Sequence, residues 1–116
     1  MDKHFQSIAS FLKFSLRHSE VLPSLECKTL KAYYSSYVNN FPPYIEKYYS
    51  RQTYELVEHL KLIKSKGREP KILEVGCGCG TESLYFSLLG GDVLGLDIKD
   101  DRLKVANARL KFINTY

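Results

Sequence analysis

The sequence predicts an α/β fold, the start of a doubly wound parallel sheet with two strands and two helices, preceded by a helical region. Three observations predict it. Apolar residues recur at three- and four-residue spacing through the first half, and after the polar link "KSKGREP" the period shortens abruptly at "KILEV". Strand-like and helix-like runs then alternate, with a glycine-rich loop behind the first strand. The chain accordingly divides into a helical cap over residues 1–66 and a first βαβα unit over 71–116, which is incomplete as a domain.

In the cap, Phe5, Ile8, Leu12 and Leu16 alternate with Lys3, Lys13 and Arg17, the pattern of an amphipathic helix that Pro23 ends. A second helix is predicted over Thr29 to Val38, with Leu30, Tyr33, Tyr34 and Tyr37 near one face before "NNFPP" stops it. The third runs from Pro43 to Ser65 on a stripe of Ile45, Tyr49, Leu56, Leu60 and Ile63, with Gly67 beyond its end. Phe11, Leu12, Leu60 and Ile63 are expected to cover one face of the sheet. "KILEV", between Pro70 and Gly76, suits a buried parallel strand, Thr81 to Leu89 a helix closed by Gly90-Gly91, and "DVLGLD" a second strand. Asp100 is the expected N-cap of a last helix carrying Leu103, Ala106, Leu110 and Ile113.

At 116 residues, 44% hydrophobic and 26% charged, the chain has room for one core at most. No apolar run approaches the roughly 18 residues of a membrane span, and the first helix lacks the apolar centre of a secretory signal. Three cysteines, Cys27, Cys77 and Cys79, lack the spacing of a disulfide framework and fit a reducing, cytoplasmic setting. Two of them flank Gly78 without the further ligands of a tetrahedral zinc site, so no metal is expected. The net charge of +4 is spread along the chain, which favours a solvated surface over a nucleic-acid face. His4, His18 and His59 take no role.

The chemistry centres on "ILEVGCGCGTESLYFSLLGGDVLGLD". Gly76, Gly78 and Gly80 follow the first strand directly, where a sharp turn and close backbone approach to a ligand leave no room for side chains. The helix beginning at Thr81 aims unpaired N–H groups at a ligand anion. Asp97, at the end of the second strand, is placed to accept from two ribose hydroxyls. An adenosine ligand follows. The nicotinamide fingerprint needs a third glycine where Thr81 stands, and no Walker lysine follows Gly76. Glu74, beside the loop, opposes a pyrophosphate and attracts an ammonium. S-adenosylmethionine carries an ammonium and a ribose diol.

At these residues the chain resembles the class I S-adenosylmethionine-dependent methyltransferases, whose fold is Rossmann-like. "LEVGCGCGT" is similar to their first motif and "VLGLDIKDDRL" to their second, over residues 71–110. The resemblance implies that Glu74 faces the methionine ammonium through water and that Gly76, Gly78 and Gly80 form the floor of the site. It implies that Asp97 holds the ribose and that Ile98 packs on the adenine. Helices before the first strand often cover the cofactor in this family, so Tyr34, Tyr44 or Tyr48 can line such a cover. The family's sheet has seven strands, of which two are legible here. The chain is therefore expected to be the N-terminal part of a methyltransferase, without catalytic residues of its own, inactive alone, and inclined to self-associate through open sheet edges. The methyl acceptor is not legible. Two other readings stand beside it: part of an NAD(P)- or FAD-dependent oxidoreductase, and a non-catalytic module using the basic helix over residues 3–17 on a membrane surface or partner.

Overall fold

The computed structural model describes residues 5–38 and 40–115; Lys3 and His4 of the first helical pattern lie outside them. The order is α1 (Ile8–Arg17), a 3-10 turn (Ser19–Val21), α2 (Ser24–Tyr33), α3 (Tyr44–Ser65), β1 (Lys71–Val75), α4 (Thr81–Leu88), β2 (Asp92–Leu96) and α5 (Asp100–Thr115). Among the described residues the architecture is α/β, five α-helices with a parallel two-stranded open sheet, as the start of a Rossmann-like fold requires. Among the described residues no helix is long and apolar enough to cross a membrane.

The cap helices form close to expectation, with informative shifts. Ser7 caps α1 through a reciprocal box: its hydroxyl accepts from Ser10 N–H, and the Ser10 hydroxyl accepts from Ser7 N–H, both at 3.1 Å. The second helix begins at Ser24 rather than Thr29, because Pro23 both closes the preceding segment and opens α2; its carbonyl accepts from Cys27 N–H at 2.9 Å. In α3 the buried face is Ile45, Tyr49, Thr53 and Leu60. Thr53 joins it by donating its hydroxyl to the Tyr49 carbonyl at 2.8 Å, whereas Leu56 is exposed.

One cluster of buried side chains joins Phe11, Leu12, Leu30, Ile45 and Leu60 of the first three helices to Leu84, Phe86, Val105 and Ile113. Of the cap residues expected over the sheet, Phe11, Leu12 and Leu60 lie in the core cluster against which Ile72 and Val93 pack. Between elements, α1 packs on α3 and α4, α2 packs on α5, and α4 packs on β2. The reason lies in α4, where the consecutive residues Leu84, Tyr85 and Phe86 are all buried, so the helix is sandwiched between cap and strands. In α5 the core face is Val105, Arg109 and Ile113, not the stripe through Leu103 and Leu110, because α5 packs against α2. The helix also includes Asp100 itself, the residue expected as its N-cap, with the Lys99 carbonyl accepting from Leu103 N–H at 3.2 Å.

The strands pair in parallel, Leu73 opposite Leu94 and Val75 opposite Leu96, so both strands end at the same edge of the sheet. They are covered on one face only. Ile72, Glu74, Val93 and Gly95 are half-buried, while Leu73, Val75, Leu94 and Leu96 face outward, which corrects the expectation of strands buried on both sides.

Candidate functional site

The parallel register brings the glycine loop and Asp97 together at the C-terminal edge of the sheet. Gly76 N–H and Cys77 N–H both donate to the Leu96 carbonyl, at 2.7 and 2.9 Å, and Gly80 N–H closes the turn on the Cys77 carbonyl at 3.0 Å. Gly76, Gly78 and Gly80 have φ of +77°, +56° and +87°. Asp97 completes the arrangement. Its Oδ2 accepts from Gly78 N–H at 2.8 Å and its Oδ1 from Lys99 N–H at 2.7 Å. These two backbone donors, first Lys99 and then Gly78, hold the carboxyl below its usual range. A carboxylate offers about four lone-pair sites, so two backbone donors leave acceptor capacity on both oxygens. Ile98 follows at the edge with its side chain 96% exposed.

The three glycines do three different things. A Cβ on Gly76 would meet nothing within 4 Å, so the loop is open to an incoming group there. A Cβ on Gly78 would stand 2.7 Å from the Tyr33 hydroxyl, and one on Gly80 would stand 2.8 Å from the Ala106 Cβ. Gly78 thus makes room for a side chain from α2, and Gly80 lets α5 approach the loop. The Tyr33 ring lies edge-on to Tyr34 at 4.8 Å and has the Arg102 guanidinium 5.0 Å from its centroid.

Glu74 points from the covered face of β1 to the first turn of α4. The Ser83 hydroxyl donates to its Oε1, opposite a Gly95 that leaves the space free. Burial raises its carboxyl above the usual value, and the Ser83 hydroxyl and backbone N–H pull it back. Glu74 is therefore engaged by a side chain in the first turn of α4. Glu82, half-buried in the same turn, is raised first by burial and then by the Glu74 charge.

Of the tyrosines expected as a cover, Tyr34 is buried behind the loop, its hydroxyl sharing a 2.6 Å hydrogen bond with Thr81 Oγ1. Tyr44 and Tyr48 face outward on α3. Tyr33 is the ring against the loop, and nothing in the run of tyrosines distinguishes it from its neighbours. Arg109 was equally hidden: only 3% exposed, it donates to the Cys79 carbonyl at 2.8 Å and to Thr81 Oγ1 at 2.9 Å. Cys77 and Cys79 are free and buried, and burial pushes the Cys79 thiol up to about 11 against the pull of Arg109 and Arg102. Both are inert small side chains of the turn. Among the described residues no group of three or more His, Cys, Asp or Glu is placed to hold a metal ion. A cavity of about 240 Å³ abuts the loop through Cys77 and Gly80 and runs between α4, β2 and α5.

A parallel β–loop–α–β unit with a glycine turn after the first strand and an acid after the second places the protein in the Rossmann-like α/β class. Within that class the chain belongs to the family of the tellurite resistance protein TehB, whose model matches residues 36–114. This is a family of S-adenosylmethionine-dependent methyltransferases. No curated protein and no solved structure matches the chain. The family match begins after α1 and α2.

Proposed function

We propose that the chain binds S-adenosylmethionine at the edge formed by Gly76, Gly78, Gly80, Asp97 and Ile98, as the cofactor-binding part of a methyltransferase. The observation that carries this reading is Asp97, a carboxylate locked to the glycine loop through Gly78 N–H with acceptor capacity left on both oxygens. A ribose diol supplies two donors that match it. An isoleucine with 96% of its surface open lies next in the chain, where an adenine ring would cover it. The exposed, Cβ-free Gly76 lets the loop backbone approach a ligand closely. Bound there, the cofactor supplies an electrophilic methyl group on a sulfonium; the chain's own residues bind and orient it. Glu74, already fixed by Ser83, contributes negative charge toward the methionine ammonium rather than a free contact. Tyr33 lies where a cover over the loop is needed.

The nicotinamide reading is disfavoured by Thr81. That position, where the fingerprint has its third glycine, is fully buried and filled by a side chain bonded to Tyr34 and Arg109. The acceptor substrate is a nucleophile whose binding residues are not assigned to this chain, and the cellular setting proposed is the cytoplasm.

Asp97→Ala is expected to weaken binding of S-adenosylhomocysteine by about ten- to a hundredfold, the scale of losing charge-assisted hydrogen bonds. Asp97→Asn, which keeps one acceptor oxygen, is expected to lose less. Isothermal titration of the three proteins checks this, and equal affinities would remove Asp97 from the ribose.

A further inference from the structure

Arg109 is the most deeply buried charge in the described residues that the proposed cofactor site does not use. Its Nη1 donates to the Cys79 carbonyl, between Gly78 and Gly80, and to Thr81 Oγ1 at the start of α4. Its Nη2 donates to Ser15 Oγ on α1 at 3.0 Å, and the guanidinium lies 5.4 Å from the centroid of the Phe11 ring on the same helix. Thr81 Oγ1 in turn shares its hydrogen bond with the Tyr34 hydroxyl at the end of α2. Four helices thus meet at one guanidinium, with the glycine loop held by its own carbonyl.

Burying a guanidinium is expensive, and here the Nε has no partner. An apolar side chain of similar length would fill the space between α1 and α5 without that cost, so packing alone does not account for the arginine. What a methionine cannot do is fix the direction of the Cys79 carbonyl and the rotamer of Thr81 together. The hydrogen bonds that the fork makes to the Cys79 carbonyl, Thr81 Oγ1 and Ser15 Oγ are directional, whereas apolar contacts tolerate several arrangements. The planar fork suits that task, since its two ends are rigidly spaced.

We infer that Arg109 is a positioning residue that couples the cap helix α1 to the glycine loop, so that Ser15, which touches no part of the proposed cofactor site, controls the loop's order and hence cofactor affinity. The Ser15 and Tyr34 ends of this bridge lie before the family match, which starts at residue 36. The inference rests on the proposed cofactor only for the identity of the ligand; the ordering of the loop is independent of it.

The test uses the full chain and its Ser15→Ala, Arg109→Lys and Arg109→Met variants. Amide hydrogen exchange of residues 76–81 is read without ligand, and the dissociation constant is read with S-adenosylhomocysteine. Ser15→Ala is expected to speed loop exchange severalfold while exchange in α3 stays as in the parent, and to weaken binding by about three- to tenfold, a free-energy loss of RT ln 10 or less. Arg109→Lys keeps the charge but not the fork and is expected to restore only part of the order lost in Arg109→Met. Loop exchange and affinity both unchanged in Ser15→Ala would overturn the inference, as would a loosening spread evenly over loop and α3. Should the parent chain bind no S-adenosylhomocysteine, the cofactor reading fails while the exchange arm still decides the bridge.

Discussion

Gly78→Val is expected to abolish cofactor binding and to destabilise the chain by more than its backbone strain alone. At φ +56° a β-branched residue is strained by about 1–3 kcal/mol. The added Cβ would also stand 2.7 Å from the Tyr33 hydroxyl, and that ring is wedged between Tyr34 and Arg102. Relief requires either Tyr33 or the loop to move. If the loop moves, Gly78 N–H leaves Asp97 and the carboxylate loses the donor that aims it. Gly67→Ala separates the two contributions, because Gly67 has φ +74° and a Cβ there would meet nothing within 4 Å. That variant is expected to lose about 1–2 kcal/mol of stability from backbone strain and none of the binding. Chemical denaturation and ligand titration of both variants check the comparison; a Gly78→Val protein that binds as well as Gly67→Ala would show that the loop tolerates what its geometry forbids.

The second large effect concerns the sheet. Leu73, Val75, Leu94 and Leu96 lie on one face, and the register sets them side by side as cross-strand neighbours. All four are exposed, Val75 to 78%. Both strands also have an unpaired edge in the described two-stranded sheet. Apolar surface flanked by open N–H and C=O groups templates strand addition. The chain is therefore expected to self-associate at micromolar concentration. Val75→Lys with Leu94→Lys is expected to shift that association to at least about tenfold higher concentration, since each buried lysine would bring an uncompensated charge into the contact. Sedimentation velocity over a concentration series reads this directly. A parent chain that stays monomeric at hundreds of micromolar would show that the face is tolerated in water.

The elements around the loop were legible because their signals are local. A short apolar run, alternating glycines, a Gly-Gly stop and an aspartate at the next strand end each report on their own few residues. The start of α2 is ambiguous in the sequence because proline terminates and initiates helices alike, and Pro23 does both. The cap of α1 was missed because Ser10 stands where a capping box usually carries Glu or Gln. Arg109 was invisible for a deeper reason. A charged residue in an amphipathic helix reads as solvent-facing, and only the packing of α5 on α2 turns the Val105–Arg109–Ile113 face inward. The same holds for Tyr33, whose contact with Gly78 links residues far apart in the chain.

The account's central claim is that the edge between the glycine loop and Asp97 takes an S-adenosyl cofactor. Titrating the chain side by side with S-adenosylhomocysteine and with NAD tests it most directly. Saturable binding of S-adenosylhomocysteine, with none of NAD, is predicted from the filled Thr81 position and from Glu74, whose charge opposes a pyrophosphate. Preferential binding of NAD would contradict the claim, and so would the absence of any S-adenosylhomocysteine binding by a folded chain.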